Sequence, residues 1–264
     1  MNAIKKEFDR LKKQWDLAEE RLKDPVSLVY SYNNLKDREV AGFLISSIAY
    51  GRREIIIKNG KELLKRLGDS PYKTLTDKDT DFKKIFKGFV HRLNSSDDFS
   101  ILCSALRDIL LKYGSLENLF KSCLKENDWL ESLRCFVKTI RDEMAKKTDK
   151  KNIIKRAFNL VPLPYPGAAK RLNLFLKWMI RKDKIDPGVW DKNISKYRRH
   201  LVVPLDVHVA NISRKIGWIK TKSVNWNTAL TVTEHLKKFC KEDPLRYDFS
   251  LCHYGMDCFR RKRV

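Results

Sequence analysis

Two predicted helix starts carry residues that could do chemistry. Lys170 begins the apolar stretch in "GAAKRLNLFLKWMIR" (167–181), and Asp206 stands at the start of the helical pattern in "VVPLDVHVANISRKIG" (202–217). A lysine attacks an electrophilic carbon only as the neutral amine, which burial and nearby cations favour. A carboxylate stabilises positive charge that develops beside it and shuttles protons. The two residues form a catalytic pair only if the fold brings them to one pocket.

Each residue also has a structural explanation that needs no chemistry. A lysine in the first helical turn of so basic a chain usually faces solvent. An aspartate at a helix start is a common N-cap, worth about 1 kcal/mol of stability. Capping and catalysis are compatible, because a capping bond fixes the carboxylate and keeps it ionised. The residues alone leave both explanations open for Lys170 and Asp206.

Helical periodicity runs along nearly the whole chain. Residues 4–22 carry one apolar stripe at three- and four-residue spacing. Residues 37–51 begin with Asp37, which predicts an N-cap, and then become almost wholly apolar. This pattern predicts a helix that is buried on most sides and is ended or bent by Gly51. No window shows strand alternation bounded by hairpin turns, so the predicted fold class is all-α.

The chain is strongly basic. Its 264 residues contain 56 Lys and Arg against 33 Asp and Glu, a formal net charge of +23. Residues 151–264 hold 25 of those cations and only 9 of the acids. This excess indicates a polyanionic partner, most simply nucleic acid. The alternative is the surface of a lysine-rich or thermophilic protein.

The sequence predicts a cytoplasmic protein without metal or cofactor. No stretch reaches the roughly 18 unbroken apolar residues of a membrane span, and the charged N-terminus lacks the apolar core of a signal peptide. The cysteines form no C-x-x-C pair and no zinc-finger spacing with histidine. In the cytosol we expect them to be reduced and mostly buried. They are Cys103, Cys123, Cys135, Cys240, Cys252 and Cys258.

Three blocks resemble the helix–hairpin–helix superfamily of DNA glycosylases. "VPLPYPGAAK" (161–170) is a turn rich in proline that leads directly into a helix headed by a lysine. "VPLDVH" (203–208) is similar to the "V-P-V-D-V-H" form of the 8-oxoguanine glycosylase branch. Residues 37–68 are similar to the early barrel helix of the superfamily and the loop after it. The likeness runs from about residue 37 to 258, and the whole chain is similar to an uncharacterised bacterial family of this superfamily.

The resemblance implies a two-lobed helical fold with a helix–hairpin–helix motif. Residues 38–180 would form a helical barrel domain that ends in the motif, and residues 1–37 with 181–264 would form a second helical domain. The cleft between these domains would hold Lys170 and Asp206 and would receive a purine flipped out of the duplex.

The implied activity is that of a bifunctional DNA glycosylase and AP lyase of base excision repair, with 8-oxoguanine as the best-matched lesion. Lys170 would attack the sugar and form a Schiff base that permits strand cleavage by β-elimination, while Asp206 would stabilise the oxocarbenium charge. The partner would be double-stranded DNA containing a damaged base, bound by a monomer. One alternative is a non-catalytic, structure-specific DNA- or RNA-binding protein that keeps the fold. The other is a basic helical protein that serves RNA or ribosomes.

The resemblance also implies contacts with DNA. Tyr50, Arg52 and Arg53 would occupy the loop that fills the gap left by an extruded base, and a charged surface loop is the alternative. His208 would contact DNA or serve as a structural histidine. Further DNA contacts are expected at Gly167, Arg171, Asn173, Arg198 and Arg199.

Aromatic and cationic side chains near these blocks add weaker candidates. Four aromatic residues could stack on the extruded base, although core packing is favoured for Trp178. These aromatic residues are Trp178, Trp190, Phe249 and Tyr254. Phosphate contacts without sequence recognition are expected at Lys182, Lys184 and the tail Arg260–Arg263.

The chain departs from the superfamily at the hairpin. The familiar motif has G-x-G before the lysine, whereas Pro166 and Ala168 take those offsets here and Gly167 lies between them. The phosphate-holding turn must therefore differ in shape. No iron–sulfur cluster is predicted, because the C-terminal region lacks the four-cysteine loop of endonuclease III.

Overall fold

The computed structural model describes residues 2–14, 17–190, 192–252 and 254. Over this part of the chain every regular element is a helix, which confirms the predicted all-α class. The chain divides into two compact units, called here the central unit (Asp24–Pro164) and the terminal unit (Met1–Lys23 with Tyr165–Val264). The boundaries predicted from the sequence place residues 24–37 in the second domain and residues 165–180 in the barrel domain. In the structure, residues 24–37 belong to the central unit and residues 165–180 to the terminal unit.

The helices follow the chain in three groups. The terminal unit begins with α1 (Asn2–Gln14) and α2 (Leu17–Leu22). The central unit contains α3 (Leu35–Ser47), α4 (Arg53–Leu67), α5 (Pro71–Thr76), α6 (Phe82–Ile85), α7 (Ser96–Tyr113), α8 (Leu116–Cys123), α9 (Trp129–Ala145) and α10 (Lys151–Ala157). The terminal unit resumes with α11 (Lys170–Ile180), α12 (Val207–Lys215) and α13 (Trp226–Lys237). None of the helices in the described ranges is long and apolar enough to cross a bilayer.

The N-terminal apolar stripe forms two helices where the sequence predicts one. Phe8 and Leu11 of α1 are buried, and the ring centroid of Phe8 lies 6.1 Å from that of Trp218. Leu22 of α2 is exposed, and Trp15 lies outside the described residues. The first half of the stripe therefore packs into the aromatic core of the terminal unit, whereas Leu22 at the end of the second half faces solvent.

α3 is the buried helix of the central unit that the sequence predicts. Most of its residues are buried, and each large apolar side chain placed in the core contributes about 1.5–3 kcal/mol. The predicted N-cap is wrong: Asn34 caps α3 by accepting a hydrogen bond from the Lys36 N–H at 2.8 Å. Asp37 lies inside the first turn, where its carboxylate accepts hydrogen bonds from Ser70 Oγ and the Tyr72 N–H. The start of α5 offers Asp37 better donors than its own helix does.

A disulfide joins α8 to α9. It links Cys123 to Cys135, whose Cα atoms are 5.5 Å apart. The expectation that the cysteines are reduced is wrong for this pair, because the turn between the two helices returns the chain and brings the thiols together. The free cysteines of the described residues include Cys103, Cys240 and Cys252, and Cys258 lies outside that part of the chain.

Candidate functional site

α11 begins after a turn that hydrogen bonds hold from two sides. Its N-cap residue, Ala169, has φ 48°, a left-handed conformation that glycine adopts more easily. Asn173 donates from Nδ2 to the Ala168 carbonyl at 3.1 Å. The Pro166 carbonyl accepts a hydrogen bond from the Trp226 N–H at 3.2 Å. These bonds fix the point at which the chain enters α11.

Asp206 is the N-cap of α12, as the sequence predicts. Its Oδ1 accepts a hydrogen bond from the Val209 N–H at 2.9 Å. The segment before Asp206 is buried, and within it the Val203 N–H donates to Thr233 Oγ1 of α13 at 3.0 Å. The carboxylate is therefore held both by its own helix and by the buried segment that leads to it.

Lys170 and Asp206 meet in the terminal unit although 36 residues separate them in sequence. Lys170 Nζ lies 3.0 Å from Asp206 Oδ2, while Oδ1 serves the cap. The two side chains are 35% and 29% exposed, so a substrate can reach the pair. Burial by itself raises the pKa of Asp206, but the charge of Lys170 and the Val209 N–H outweigh it and hold that pKa below its usual range. Asp206 is therefore ionised at neutral pH.

Two substitutions at Asp206 separate its cap from its ion pair. Asparagine caps a helix as well as aspartate, so Asp206→Asn removes only the ion pair and should lower the free energy of unfolding at pH 7 by less than about 1 kcal/mol. Asp206→Ala also removes the cap and should cost about 1 kcal/mol more. Because the folded pKa is the lower one, the ion-pair contribution is complete above about pH 4 and disappears as the pH falls through the folded pKa. Urea melts at pH 7 and pH 3 measure these differences, and a wild-type advantage over Asp206→Asn that grows in acid would contradict the assignment.

A second lysine of α11, Lys177, belongs to a network of six charges, four of which are buried. Its Nζ lies 2.9 Å from Asp248 Oδ2 and 3.4 Å from Asp186 Oδ1. Arg181, which follows α11, pairs with Asp186 and donates from Nε to Asp243 at 2.8 Å. The members of the network are Lys177, Arg181, Asp183, Asp186, Asp243 and Asp248.

Burial makes the charges of this network depend on one another. Burial alone lowers the pKa of Lys177, but Asp186 and Asp248 outweigh it, so the pKa lies above its usual range. Full burial raises the pKa of Asp186 to about 6 against the opposing charges of Lys177 and Arg181. Breaking one buried pair leaves an uncompensated charge, which costs about 3–5 kcal/mol. The network therefore fixes α11, the helix that carries Lys170.

Cys252 lies within electrostatic reach of the network and of the Lys170–Asp206 pair. Burial raises the pKa of its thiol well above the usual range, and the carboxylates of Asp248 and Asp206 act in the same direction. The thiol is therefore protonated at neutral pH and is not a nucleophile.

In the described residues, no group of three or more His, Cys, Asp or Glu side chains could hold a metal ion.

The other predicted DNA contacts of the terminal unit differ in exposure. Those that are exposed are Gly167, Lys182, Lys184, Arg199 and His208. Arg171 and Arg198 are half-buried, and Arg198 Nε donates to the Glu242 carbonyl at 3.2 Å. Asn173 is only 1% exposed, and its amide holds the turn before α11. Its predicted role is corrected accordingly: Asn173 supports the turn and offers no surface to DNA.

The aromatic candidates are mostly part of the core. Trp178 is 1% exposed, which confirms the core packing favoured for it, and Trp190 is 6% exposed. Neither indole can stack on a base without leaving the core. Phe249 and Tyr254 are half-buried, and the cationic tail 260–263 lies outside the described residues.

The three candidates after α3 belong to the central unit. Tyr50 is half-buried, and its hydroxyl lies 2.6 Å from Asn94 Oδ1. Arg52 and Arg53 are exposed, and Arg53 Nε lies 3.9 Å from Glu54 Oε1. The two arginines are therefore available to a partner, whereas Tyr50 is held against its own unit.

Sequence reasoning missed the buried network, although one feature indicated it. "LFLKWMI" (174–180) places Lys177 inside an otherwise apolar helix, and a lysine in such a position needs an acidic partner. The identity of the partner was not visible, because Asp248 lies on a distant segment. The hydrogen bond from Asn173 to the turn likewise has no local sequence pattern.

A family model described as a protein of unknown function (DUF2400) matches residues 24–257. No curated protein and no solved structure matches the chain.

Proposed function

The chain belongs to the DUF2400 family, and we propose that it is a DNA glycosylase with AP-lyase activity that removes an oxidised purine, best 8-oxoguanine. It would do so on the helix–hairpin–helix form of the glycosylase fold, with Lys170 as the nucleophile and Asp206 as its electrostatic partner. One observation carries the proposal. An ammonium and a carboxylate, each at the start of its own helix, lie 3.0 Å apart and remain accessible.

The chemistry requires Lys170 to release a proton before it reacts. Its Nζ then forms a bond to C1′ of the deoxyribose while the bond from C1′ to the base breaks, and the base leaves with a proton. The C1′–O4′ bond then breaks, O4′ takes up a proton, and a Schiff base between Nζ and C1′ remains. This imine acidifies the C2′ protons, and loss of one of them expels the 3′ phosphate by β-elimination. Asp206 is ionised and close to Nζ, so it is placed to stabilise positive charge at C1′ and on the imine nitrogen.

The charge of the terminal unit supports a polyanionic substrate. Its residues 1–23 and 165–264 together carry 29 Lys and Arg against 14 Asp and Glu. Lys182, Lys184 and Arg199 are exposed in the same unit as the pair. Cations of this kind bind phosphates without recognising sequence and would hold duplex DNA near Lys170.

A non-catalytic nucleic-acid-binding protein is the second candidate, and one observation favours it. Pro166 and Ala168 occupy the two glycine offsets of the G-x-G hairpin, so the turn before Lys170 differs from that of the superfamily. In such a protein the Lys170–Asp206 contact would serve only as a partly exposed ion pair beside a helix cap.

Borohydride trapping with three duplexes tests the proposed activity. The wild-type protein is incubated with duplexes that contain 8-oxoguanine, a natural abasic site or no damage, in the presence of sodium borohydride. We expect a covalent protein–DNA adduct with the first two duplexes and none with the third. Adduct with the abasic duplex alone would remove the 8-oxoguanine assignment. Tight binding without any adduct would favour the non-catalytic protein, and a preference for RNA would favour an RNA partner.

A further inference from the structure

The starts of three helices of the central unit, α3, α5 and α8, lie together. Asp37, in the first turn of α3, accepts a hydrogen bond from the Tyr72 N–H at the start of α5 at 2.9 Å. Glu39, also near the start of α3, accepts one from the Leu116 N–H at the start of α8 at 2.9 Å. Both carboxylates are buried, so the acids of α3 point into the unit. The segments that meet here are residues 35–39, 69–73 and 111–116.

The cations of these three segments remain at the surface. Lys36, Lys73 and Lys112 are exposed, and Arg38 is half-buried. Within the described ranges, none of the three lysines forms an ion pair with a carboxylate. The same segments contain one exposed acid, Asp69. Because the other acids are buried, the region carries an excess of positive charge on its outside.

Tyr72 forms a fixed aromatic ring in this region. Its hydroxyl donates a hydrogen bond to the Gly114 carbonyl at 3.2 Å. Lys36 Nζ lies 3.4 Å from the same hydroxyl and 4.6 Å from the centroid of the ring. Tyr72 is half-buried, so part of the ring remains accessible. The ring is held in place before a partner binds, which lowers the entropic cost of using it for binding.

A second tyrosine lies next to this contact. Tyr113 directly precedes Gly114, whose carbonyl accepts the hydrogen bond from the Tyr72 hydroxyl. Lys112 Nζ lies 5.1 Å from the centroid of the Tyr113 ring, and Tyr113 is half-buried. Each of the two rings therefore has an ammonium group close to it. The tyrosine–lysine surface is the name used here for Lys36, Tyr72, Lys73, Lys112 and Tyr113.

Aromatic rings beside ammonium groups match the chemistry of a single nucleic-acid strand. Unpaired bases stack on aromatic side chains, while cations hold the phosphates between them. A duplex covers the faces of its bases by internal stacking, so those faces cannot reach a tyrosine ring. An acidic peptide would satisfy the lysines but would leave the rings without a flat partner. The combination of rings and cations therefore favours a single strand over both.

We propose that the tyrosine–lysine surface binds single-stranded DNA, with bases stacked on Tyr72 and Tyr113 and phosphates held by the three lysines. The choice of DNA over RNA rests on the proposed function, whereas the choice of a single strand rests on the rings and cations themselves. The surface belongs to the central unit, and the Lys170–Asp206 pair belongs to the terminal unit. It is therefore a second binding site and not a part of that pair.

Fluorescence anisotropy with three labelled probes tests the stacking. The probes are a short oligo(dT) strand, an oligo(U) strand and a DNA duplex of equal length. Tyr72→Leu and Tyr113→Leu remove a flat face but keep an apolar side chain, and each should bind oligo(dT) about tenfold more weakly than the wild type. Tyr72→Phe keeps the ring and should bind within about twofold of the wild type. An unchanged affinity in both leucine variants, an equal loss on the duplex, or a larger loss on oligo(U) would overturn the proposal.

The salt dependence of binding tests the lysines. Lys36→Met and Lys112→Met should each reduce the slope of log K against log salt for oligo(dT) by about 0.7, the amount expected for one phosphate contact of a single strand. Tyr197→Leu is the matched control, because Tyr197 is a half-buried tyrosine of the terminal unit with Lys196 Nζ 5.3 Å from its ring centroid. This variant should bind oligo(dT) like the wild type. Equal losses in Tyr197→Leu and Tyr72→Leu, or unchanged slopes in both lysine variants, would contradict the assignment.

Photo-cross-linking locates the strand without relying on the folding of a variant. An oligo(dT) strand that carries 5-iodouracil is irradiated with the wild-type protein, and the cross-linked peptide is identified by mass spectrometry. We expect the cross-link at Tyr72 or Tyr113, and a cross-link only within the terminal unit would overturn the proposal.

Borohydride trapping of the wild type on an abasic duplex distinguishes this inference from the proposed function. An adduct without a cross-link at either tyrosine would leave the lyase standing and remove the tyrosine–lysine surface. A cross-link at Tyr72 or Tyr113 without any adduct would support the surface and remove the lyase.

Discussion

Lys170→Ala should form no borohydride adduct and should cleave an abasic duplex at least about 1,000-fold more slowly than the wild type. The reason is that the substitution removes the amine that would bond to C1′, and the chain has no other lysine paired with a carboxylate at this turn. Folding should be preserved, because the Lys170 side chain is 35% exposed and its ion pair contributes less than about 1 kcal/mol. Single-turnover cleavage assays measure the rate, and melting curves measure the stability.

Lys184→Ala is the matched control for that substitution. It removes the same charge from an exposed position in the same unit. We expect it to weaken DNA binding slightly and to trap as efficiently as the wild type. Equal loss of adduct in both variants would mean that the lysines act only through DNA affinity. Adduct persisting in Lys170→Ala would assign the nucleophile to another amine.

Lys177→Met should lower the free energy of unfolding by about 3–5 kcal/mol. Methionine fills a similar volume, so the loss comes from the charges that remain and not from a cavity. Without the ammonium, Asp248 loses its contact at 2.9 Å, and Asp186 keeps only Arg181. Urea unfolding at pH 7 measures the difference. The exposed Lys184→Met is the control and should change stability by less than about 0.5 kcal/mol.

A double variant shows whether stranded charge is the cause. Adding Asp248→Asn to Lys177→Met removes the carboxylate left without its ammonium, so the pair should lose less stability than the sum of the two single variants. If Lys177→Met costs less than about 1 kcal/mol, the buried network does not hold α11 in the manner described.

Local patterns were sufficient to predict the two helices of the site and the N-cap that Asp206 forms. The apolar periodicity of α11 and α12 identifies both helices, and an aspartate before an apolar run predicts the cap that Asp206 makes. The cap of α3 shows the limit of this reasoning. Asp37 has the residue type of an N-cap, but the start of α5 competes for its carboxylate and Asn34 caps the helix. Such competition depends on tertiary packing.

Features that depend on distant segments could not be predicted. The partners of Lys177 come from two separate stretches, and the Cys123–Cys135 bond depends on how α8 and α9 pack. Contact between Lys170 and Asp206 was expected only from the resemblance, since a separation of 36 residues by itself implies no contact.

Peptide mapping of the trapped complex decides whether Lys170 and Asp206 form one reacting site. After borohydride trapping on an abasic duplex, the complex is digested with nuclease and protease, and the residual sugar is located by mass spectrometry. We predict the added mass on Lys170 alone, in the tryptic peptide that begins at Ala157 and contains the turn before α11. Added mass on another lysine or on the N-terminal amine would contradict the assignment of this pair as the catalytic centre.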